Sequence, residues 1–269
     1  MRSIVLDKST LQACRADELE QFSEKYRIVL PNFLLLEILS EDSLKRGAPP
    51  WSSYFRKLKN CRFVVTRYLG HVFEEEERTC RPAGNIDDYS YTRHMKQKLA
   101  VPFEQWQKPE EFYPPEMYAP EARDVVDQRR RRLASIGSRE FVRAAGAVSE
   151  VAHSSGKSVA LVWYQVLEPV MFRAWKECHL LATRKSFRFM DVWFWNYYDF
   201  RRSSDGAGSC QDVSDVVLIN ESIDIHYLLN LIVKDGIVSG DWRMCETARA
   251  FFPGRLVFED LKQAMDRGA

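Results

Sequence analysis

The hydrophobic positions form short continuous runs at both ends of the chain, and helical patterns alternate with these runs. Ser3–Leu6 and Gly236–Ser239 have the pattern of strands buried on both faces of a parallel sheet. Further strands are predicted at Arg62–Thr66 and Arg255–Phe258, and helices at Leu11–Lys25, Phe33–Leu39, Ile223–Ile232, Met244–Phe251 and Leu261–Met265. Both ends of the chain therefore predict an α/β fold.

The middle of the chain has a different, helical character. Glu121–Ala152 and Lys157–Arg184 show helical periodicity, and Phe187–Phe200 follows with eight aromatic residues in fourteen positions. We predict a three-layer α/β/α sandwich around a short, mainly parallel sheet. Residues 1–66 and 205–269 would form this core, and residues 67–204 would form a large helical insertion after the second strand.

Composition and charge exclude two broad classes of protein. The 269 residues include 39 Lys and Arg against 38 Asp and Glu, so the formal net charge is +1 with His neutral. Hydrophobic residues make up 45% and charged residues 29%, which is typical of a globular chain and excludes a disordered one. Near-neutral charge excludes a surface that is basic throughout, as in some nucleic-acid-binding proteins, but it permits a local basic groove.

Targeting signals and cysteine spacing indicate a cytoplasmic protein with no membrane association. No apolar run approaches the roughly 20 residues that span a bilayer, and the N-terminal residues lack the apolar region of a signal peptide. The cysteines form no CxxC pair and no cluster at zinc spacing, so we expect reduced thiols. They are Cys14, Cys61, Cys80, Cys178, Cys210 and Cys245.

Acidic residues follow two of the predicted strands. Asp7 and Asp241 each come just after a short apolar strand, and ligands bind outside the carboxyl ends of strands in open α/β sheets. If these two strands are neighbours, the two carboxylates face one another. Glu37, in an otherwise apolar helix, and Asp224, at the predicted start of another helix, would complete a four-acid cluster. Such a cluster needs a cation, and Mg²⁺ or Mn²⁺ prefers carboxylate oxygens.

These acids lie in four sequence blocks that resemble the signature blocks of PIN-domain nucleases. In that family the first strand ends in Asp and is followed two residues later by Asn, Ser or Thr, which Ser9 matches. The second acid lies on a helix after a Pro-containing approach, the third begins a helix, and the fourth stands in a Ser- or Thr-x-Asp context. The matching blocks are Val5–Ser9, Leu30–Leu39, Ser222–Leu228 and Ile237–Asp241.

The resemblance covers about residues 1–66 and 211–269, and it implies a metal-dependent ribonuclease. It implies that Asp7, Glu37, Asp224 and Asp241 are catalytic residues that bind Mg²⁺ or Mn²⁺. RNA is the implied substrate, and DNA is the alternative. Many PIN-like proteins are toxins held by an antitoxin, so the insertion, which compact members lack, would shape an RNA channel or hold an antitoxin or another protein partner.

Each candidate site residue also has a simpler interpretation. Asp7 could cap a helix and Asp241 could be a loop acid. Glu37 could lie at the edge of a helix, with Glu41 as an alternative ligand. Ser9 and Ser239 could support the metal site or serve as helix caps, and Lys8 and Arg243 are candidates for substrate contact. For Asp224 the alternatives in the sequence are Asp212, Asp215 and Glu221.

Three further features have two interpretations each. Arg129–Arg132 could bind phosphate or form a solvated helix face. The aromatic segment could stack on bases, but Phe189, Trp193 and Tyr197 fall at helical spacing, which favours a core role. His226 fits a packing role better than that of a general base. Besides the nuclease, two alternatives stay open: a non-catalytic PIN-like scaffold protein and a structure-specific DNA nuclease.

Overall fold

A computed structural model describes residues 1–39, 51–106, 112, 147–148, 150–157, 161–162, 165, 183–204 and 215–266. The chain divides into two compact units. The first contains Met1–Val72, Gly84–Met117 and Val233–Ala269, and the second contains Phe73–Ala83 and Tyr118–Ile232. The predicted boundaries between core and insertion lay at residues 66 and 204. The observed units differ from them: residues 84–117 belong to the unit that contains the predicted core, and residues 205–232 belong to the helical unit.

The first unit is built on a six-stranded, mainly parallel sheet. Its strands are β1 (Arg2–Leu6), β2 (Tyr26–Leu30), β3 (Phe63–Thr66), β4 (Asp87–Asp88), β5 (Gly236–Val238) and β6 (Leu256–Phe258). The spatial order is β4-β3-β2-β1-β5-β6, and only β4 is antiparallel to its neighbour. The predicted α/β class with a mainly parallel sheet is confirmed.

Helices follow most of the strands in the first unit. They are α1 (Lys8–Ala13), α2 (Ala16–Lys25), α3 (Asn32–Leu39), α4 (Trp51–Leu58), α6 (Tyr89–Ala100), α9 (Trp242–Phe251) and α10 (Leu261–Asp266). The helix α5 (Leu69–Thr79) has its first four residues in the first unit and the others in the second. The central strands are buried because helices cover the sheet: Ile4, Val5 and Leu6 of β1 are 0% exposed.

Two predictions about the first unit were wrong. The helix predicted over Leu11–Lys25 is two helices, because the chain is extended at Cys14 and Arg15 and the Glu18 carboxylate accepts a hydrogen bond from the Arg15 amide (2.8 Å). Tyr26–Leu30 is a strand where none was predicted, so Phe63–Thr66 is the third strand and not the second. The described residues before the helical middle therefore contain three parallel strands.

In the second unit, every secondary-structure element assigned to the described residues is a helix. Its helices include α7 (Phe187–Ser204) and α8 (Asp215–Asn230), which pack against each other. The core role of the aromatic segment is confirmed, since Phe189, Trp193 and Tyr197 are buried and the Phe189 and Trp193 rings lie 5.4 Å apart. No helix in the described ranges has both the length and the apolar character needed to cross a membrane.

Candidate active site

Asp7 and Asp241 are brought to the same edge of the sheet. β1 and β5 are adjacent and parallel, with Leu6 opposite Val238, so the condition set for the two acids, that their strands are neighbours, is met. Asp7 is the first residue after β1, and its amide donates a hydrogen bond to the Val238 carbonyl (3.3 Å). Asp241, three residues after the end of β5, is the N-cap of α9. Both carboxylates therefore lie at the carboxyl edge of the sheet, the position where α/β proteins bind ligands.

Two serine hydroxyls connect the Asp7 carboxylate to the turn between β5 and α9. Ser9 Oγ and Ser239 Oγ both donate to Asp7 Oδ2, at 2.8 and 2.6 Å. The same oxygens accept backbone hydrogen bonds from the turn: Ser9 Oγ from the Gly240 amide (3.1 Å) and Ser239 Oγ from the Asp241 amide (3.0 Å). We call this pair of hydroxyls the serine bridge. It fixes the position of the Asp241 backbone relative to the Asp7 side chain.

Both aspartates also cap helices, but each uses only one oxygen for its cap. Asp7 Oδ1 accepts from the Thr10 amide at 2.8 Å, and Asp241 Oδ1 accepts from the Arg243 and Met244 amides at 2.7 and 3.3 Å. Within the described part of the chain, Asp241 Oδ2 has no hydrogen-bond partner. The capping interpretation is therefore correct for Asp7. Asp241, for which the simpler interpretation was a loop acid, is a helix cap as well, and its second oxygen is available to a ligand.

Glu37 is half-buried on α3 and faces a lysine. Lys8 Nζ lies 3.4 Å from Glu37 Oε1 and donates to the Glu37 carbonyl oxygen, also at 3.4 Å. Burial, with a smaller contribution from the Glu37 charge, raises the pKa of the Tyr54 phenol. Sequence spacing gave no signal for the pairing with Lys8, because the two residues are 29 positions apart. Lys8, predicted as a substrate contact, is thus placed beside a predicted metal ligand.

The prediction that Asp224 begins a helix was wrong. Asp224 lies within α8, whose first residue is Asp215, and α8 belongs to the second unit. The apolar run at residues 213–219 continues into this helix, so the helix begins earlier than the periodicity predicted. One helical turn away from Ser222, His226 Nδ1 contacts the Ser222 carbonyl oxygen at 2.6 Å. Burial lowers the pKa of His226 to about 4, so it is neutral at pH 7.

Among the residues that the structure describes, no three His, Cys, Asp or Glu side chains gather as a group that could hold a metal ion. The serine bridge connects Asp7 with the Asp241 turn, while the Glu37 carboxylate is engaged by Lys8. The candidate residues Glu41, Asp212 and Arg129–Arg132 lie outside the described residues.

Buried thiols take no part in this chemistry. Cys14, Cys61, Cys80 and Cys245 are free cysteines, which agrees with the expectation of reduced thiols for these four. Burial raises the pKa of Cys14 and Cys245 to about 11 and that of Cys61 to about 12. These three thiols are therefore protonated at neutral pH, and only the thiolate form acts as a nucleophile or metal ligand.

Two residues that follow Asp241 are exposed at this edge. Trp242 is 62% exposed, and the Arg243 guanidinium carbon lies 5.6 Å from the centre of its ring. Arg243 was a predicted substrate contact, but Trp242 was not considered. The sequence does contain a signal for Trp242, because a tryptophan directly follows a candidate site acid. In the structure it is the first residue of α9, and the buried residues of that helix begin only at Met244.

Comparisons of the chain with protein-family models, with curated proteins and with solved structures found no match. Membership of the PIN-domain family therefore stays a prediction that depends on the four sequence blocks.

Replacing Ser239 by alanine is expected to lower the free energy of unfolding by about 1–3 kcal/mol, because buried Asp7 Oδ2 loses one of its two hydroxyl donors and the part-buried Asp241 amide loses its acceptor. Ser239 is 0% exposed, so water cannot substitute for its hydroxyl. Ser9→Ala is the matched control, because Ser9 makes the equivalent bonds but is exposed; a smaller loss is expected. Urea unfolding followed by circular dichroism measures both. Equal losses would contradict the idea that burial sets the cost.

Proposed function

We propose that this protein is a PIN-like, metal-dependent phosphodiesterase that cleaves RNA internally. The observation that carries the proposal is that Asp7 and Asp241 follow adjacent parallel strands and are connected by the serine bridge. In this proposal the first unit has the three-layer arrangement of PIN-like nucleases and acts in the cytoplasm. The helical middle, residues 67–204, contacts RNA or holds an antitoxin or another protein partner.

The donor set suits Mg²⁺ or Mn²⁺. Asp7, Glu37 and Asp241 offer carboxylate oxygens, the ligands that these ions prefer. A carboxylate has about four acceptor positions, and Asp7 uses three of them in the hydrogen bonds described above. The three carboxylates do not already form a three-ligand group in the described residues, so in this proposal the ion itself would draw them together. A bound divalent ion would balance the carboxylate charges and lower the pKa of a coordinated water.

In this proposal, the chain's own cations bind the phosphate backbone. Lys8 lies beside Glu37, and Arg243 is exposed in the first turn of α9, next to Asp241. Positive side chains at a nuclease site hold phosphate oxygens and offset the repulsion between an acidic site and a polyanion. The serine bridge orients the Asp7 carboxylate and keeps it from rotating, so that its remaining acceptor position has a fixed direction.

One observation favours the alternative of a non-catalytic PIN-like scaffold. The Glu37 charge is already balanced by Lys8, and the Asp7 carboxylate accepts three hydrogen bonds, so both acids are accommodated without an ion. A structure-specific DNA nuclease would use the same acids, and only the preferred substrate separates it from a ribonuclease.

Cleavage of end-labelled RNA in Mg²⁺ or Mn²⁺, and its loss in EDTA, tests the proposed activity. Asp241→Asn is expected to reduce the rate about 100-fold, because an amide is a weaker metal ligand than a carboxylate. Asp260→Asn is the matched control: Asp260 is an exposed acid that follows β6 and accepts a hydrogen bond from the Gln263 amide (2.7 Å), as a helix cap does. It is expected to cleave like the wild type.

Single-stranded and duplex DNA of the same sequence are included as substrates. Faster cleavage of DNA than of RNA would favour the alternative function, a DNA nuclease, over the proposed ribonuclease. If the wild-type protein cleaves none of these substrates with either ion, or if Asp241→Asn cleaves at the wild-type rate, the proposed activity is wrong.

A further inference from the structure

Trp242 is exposed at the edge of the sheet that carries the candidate site. It is 62% exposed, although tryptophan is highly buried on average. It is the first residue of α9 and directly follows Asp241. The described residues of the first unit have one other exposed aromatic side chain, Tyr89, which is 57% exposed and follows β4 at the opposite end of the sheet. Trp242 is therefore an exposed aromatic residue that directly follows a candidate acid.

The backbone that carries this ring is firmly held. The amides before it, those of Gly240 and Asp241, are bound by the serine bridge, and the two amides after it are capped by Asp241 Oδ1. The turn is also tightly packed, because a Cβ atom at Gly240 would lie 3.0 Å from Ser9 Oγ. The base of the Trp242 side chain thus has a defined position relative to the Asp7 carboxylate, which reduces the backbone ordering that ligand binding would otherwise cost.

A cation accompanies the aromatic ring. The Arg243 guanidinium carbon lies 5.6 Å from the ring centre, within the range of a cation–π contact. Arg243 is itself exposed. An exposed aromatic face beside an exposed cation is the combination that proteins use for single-stranded nucleic acids, in which a base stacks on the ring and the cation contacts the phosphate.

We propose that Trp242 is a stacking platform for an unpaired base of single-stranded RNA, and that Arg243 contacts an adjacent phosphate. This inference deepens the proposed function, on which its choice of RNA rests. A base in a duplex has both faces covered by its neighbours, so it cannot stack on Trp242 without being unpaired. The platform therefore selects single-stranded over duplex RNA at the candidate site.

Binding of fluorescently labelled RNA in EDTA, measured by fluorescence anisotropy, tests this without any cleavage. Trp242→Leu is expected to weaken binding of a single-stranded 15-nucleotide RNA about ten-fold, because it removes the stacking surface. Trp242→Phe keeps an aromatic face and is expected to stay within about three-fold of the wild type. Tyr89→Leu is the matched control, since it removes an exposed aromatic side chain elsewhere on the first unit, and it is expected to bind like the wild type.

Binding of duplex RNA and of single-stranded DNA shows whether the affinity comes from stacking on an unpaired base and whether it depends on the sugar. Duplex binding should not change in Trp242→Leu, and similar losses for RNA and DNA would indicate recognition of the base alone. The inference is overturned if the wild type does not bind single-stranded RNA, if Trp242→Leu binds it equally well, or if duplex binding falls by the same factor. Loss of binding in Trp242→Leu without any metal-dependent cleavage by the wild type would instead refute only the proposed activity.

Discussion

Glu76→Ala is expected to lower the free energy of unfolding of the second unit by about 3–5 kcal/mol. Glu76 lies on α5 and is 0% exposed. Its Oε1 accepts from the amides of Ala83 (3.0 Å) and Phe187 (3.1 Å), and its Oε2 accepts from Ser186 Oγ (2.9 Å) and the Arg188 amide (3.0 Å). The carboxylate thus caps the N-terminus of α7, a helix more than 100 residues further along the chain.

The size of this effect follows from the number of buried donors that one carboxylate serves. Alanine would leave four donors without an acceptor in the interior of the second unit, and it would remove a negative charge from the positive end of the α7 dipole. Glu76→Gln keeps one acceptor oxygen but turns an NH₂ group towards two donors. We therefore expect its stability to lie between that of Glu76→Ala and that of the wild type.

Glu77→Gln is the control for Glu76. Glu77 is the next residue, is 60% exposed and lies 3.3 Å from the Arg188 guanidinium, so its ion pair is expected to contribute less than about 1 kcal/mol. Urea unfolding followed by near-ultraviolet circular dichroism measures the packing around buried Trp193 and Tyr197. If Glu76→Ala unfolds at the wild-type urea concentration, the carboxylate is not what holds α7 in place.

The sequence could predict the parts of the fold that local patterns determine. β1 and β5 are short, apolar and followed by Asp, and they are neighbours in the sheet, which is the condition set for the two acids. β2 was missed because Tyr26 follows the last residue of α2 with no Gly or Pro between them. β4 consists of Asp87 and Asp88, and two polar residues carry no strand pattern.

The contacts around the candidate site were harder to predict because they join distant residues. Local rules suggested that Ser9 and Ser239 support the site, but not that both hydroxyls bind the same oxygen of Asp7, across 232 positions in the case of Ser239. Glu76 lies within the acidic run Glu74–Glu77, and nothing in that run indicates that it is buried and accepts a hydrogen bond from α7. Charge patterning alone cannot distinguish a solvated carboxylate from one that caps a distant helix.

Asp7→Asn is expected to reduce RNA cleavage about 1,000-fold while the protein stays folded. The variant keeps Oδ1 for the helix cap. Its amide NH₂ can donate to Ser9 Oγ and Ser239 Oγ, because each hydroxyl has a second lone pair besides the one that accepts a backbone amide. We therefore expect the free energy of unfolding to fall by no more than about 1–3 kcal/mol, and the main change to be the loss of the negative charge.

Asp7→Ala separates this loss of charge from damage to the scaffold. It removes the cap and leaves both serine hydroxyls without their acceptor, so it should be less stable than Asp7→Asn by at least about 1 kcal/mol but no less active. If the two variants cleave RNA equally slowly although their free energies of unfolding differ, the charge of Asp7, and not the folding of the β5–α9 turn, is needed for cleavage. The nuclease assignment of Asp7 would be wrong if Asp7→Asn cleaved RNA as fast as the wild type. If cleavage instead fell in proportion to stability across the two variants, Asp7 would act only as a structural cap.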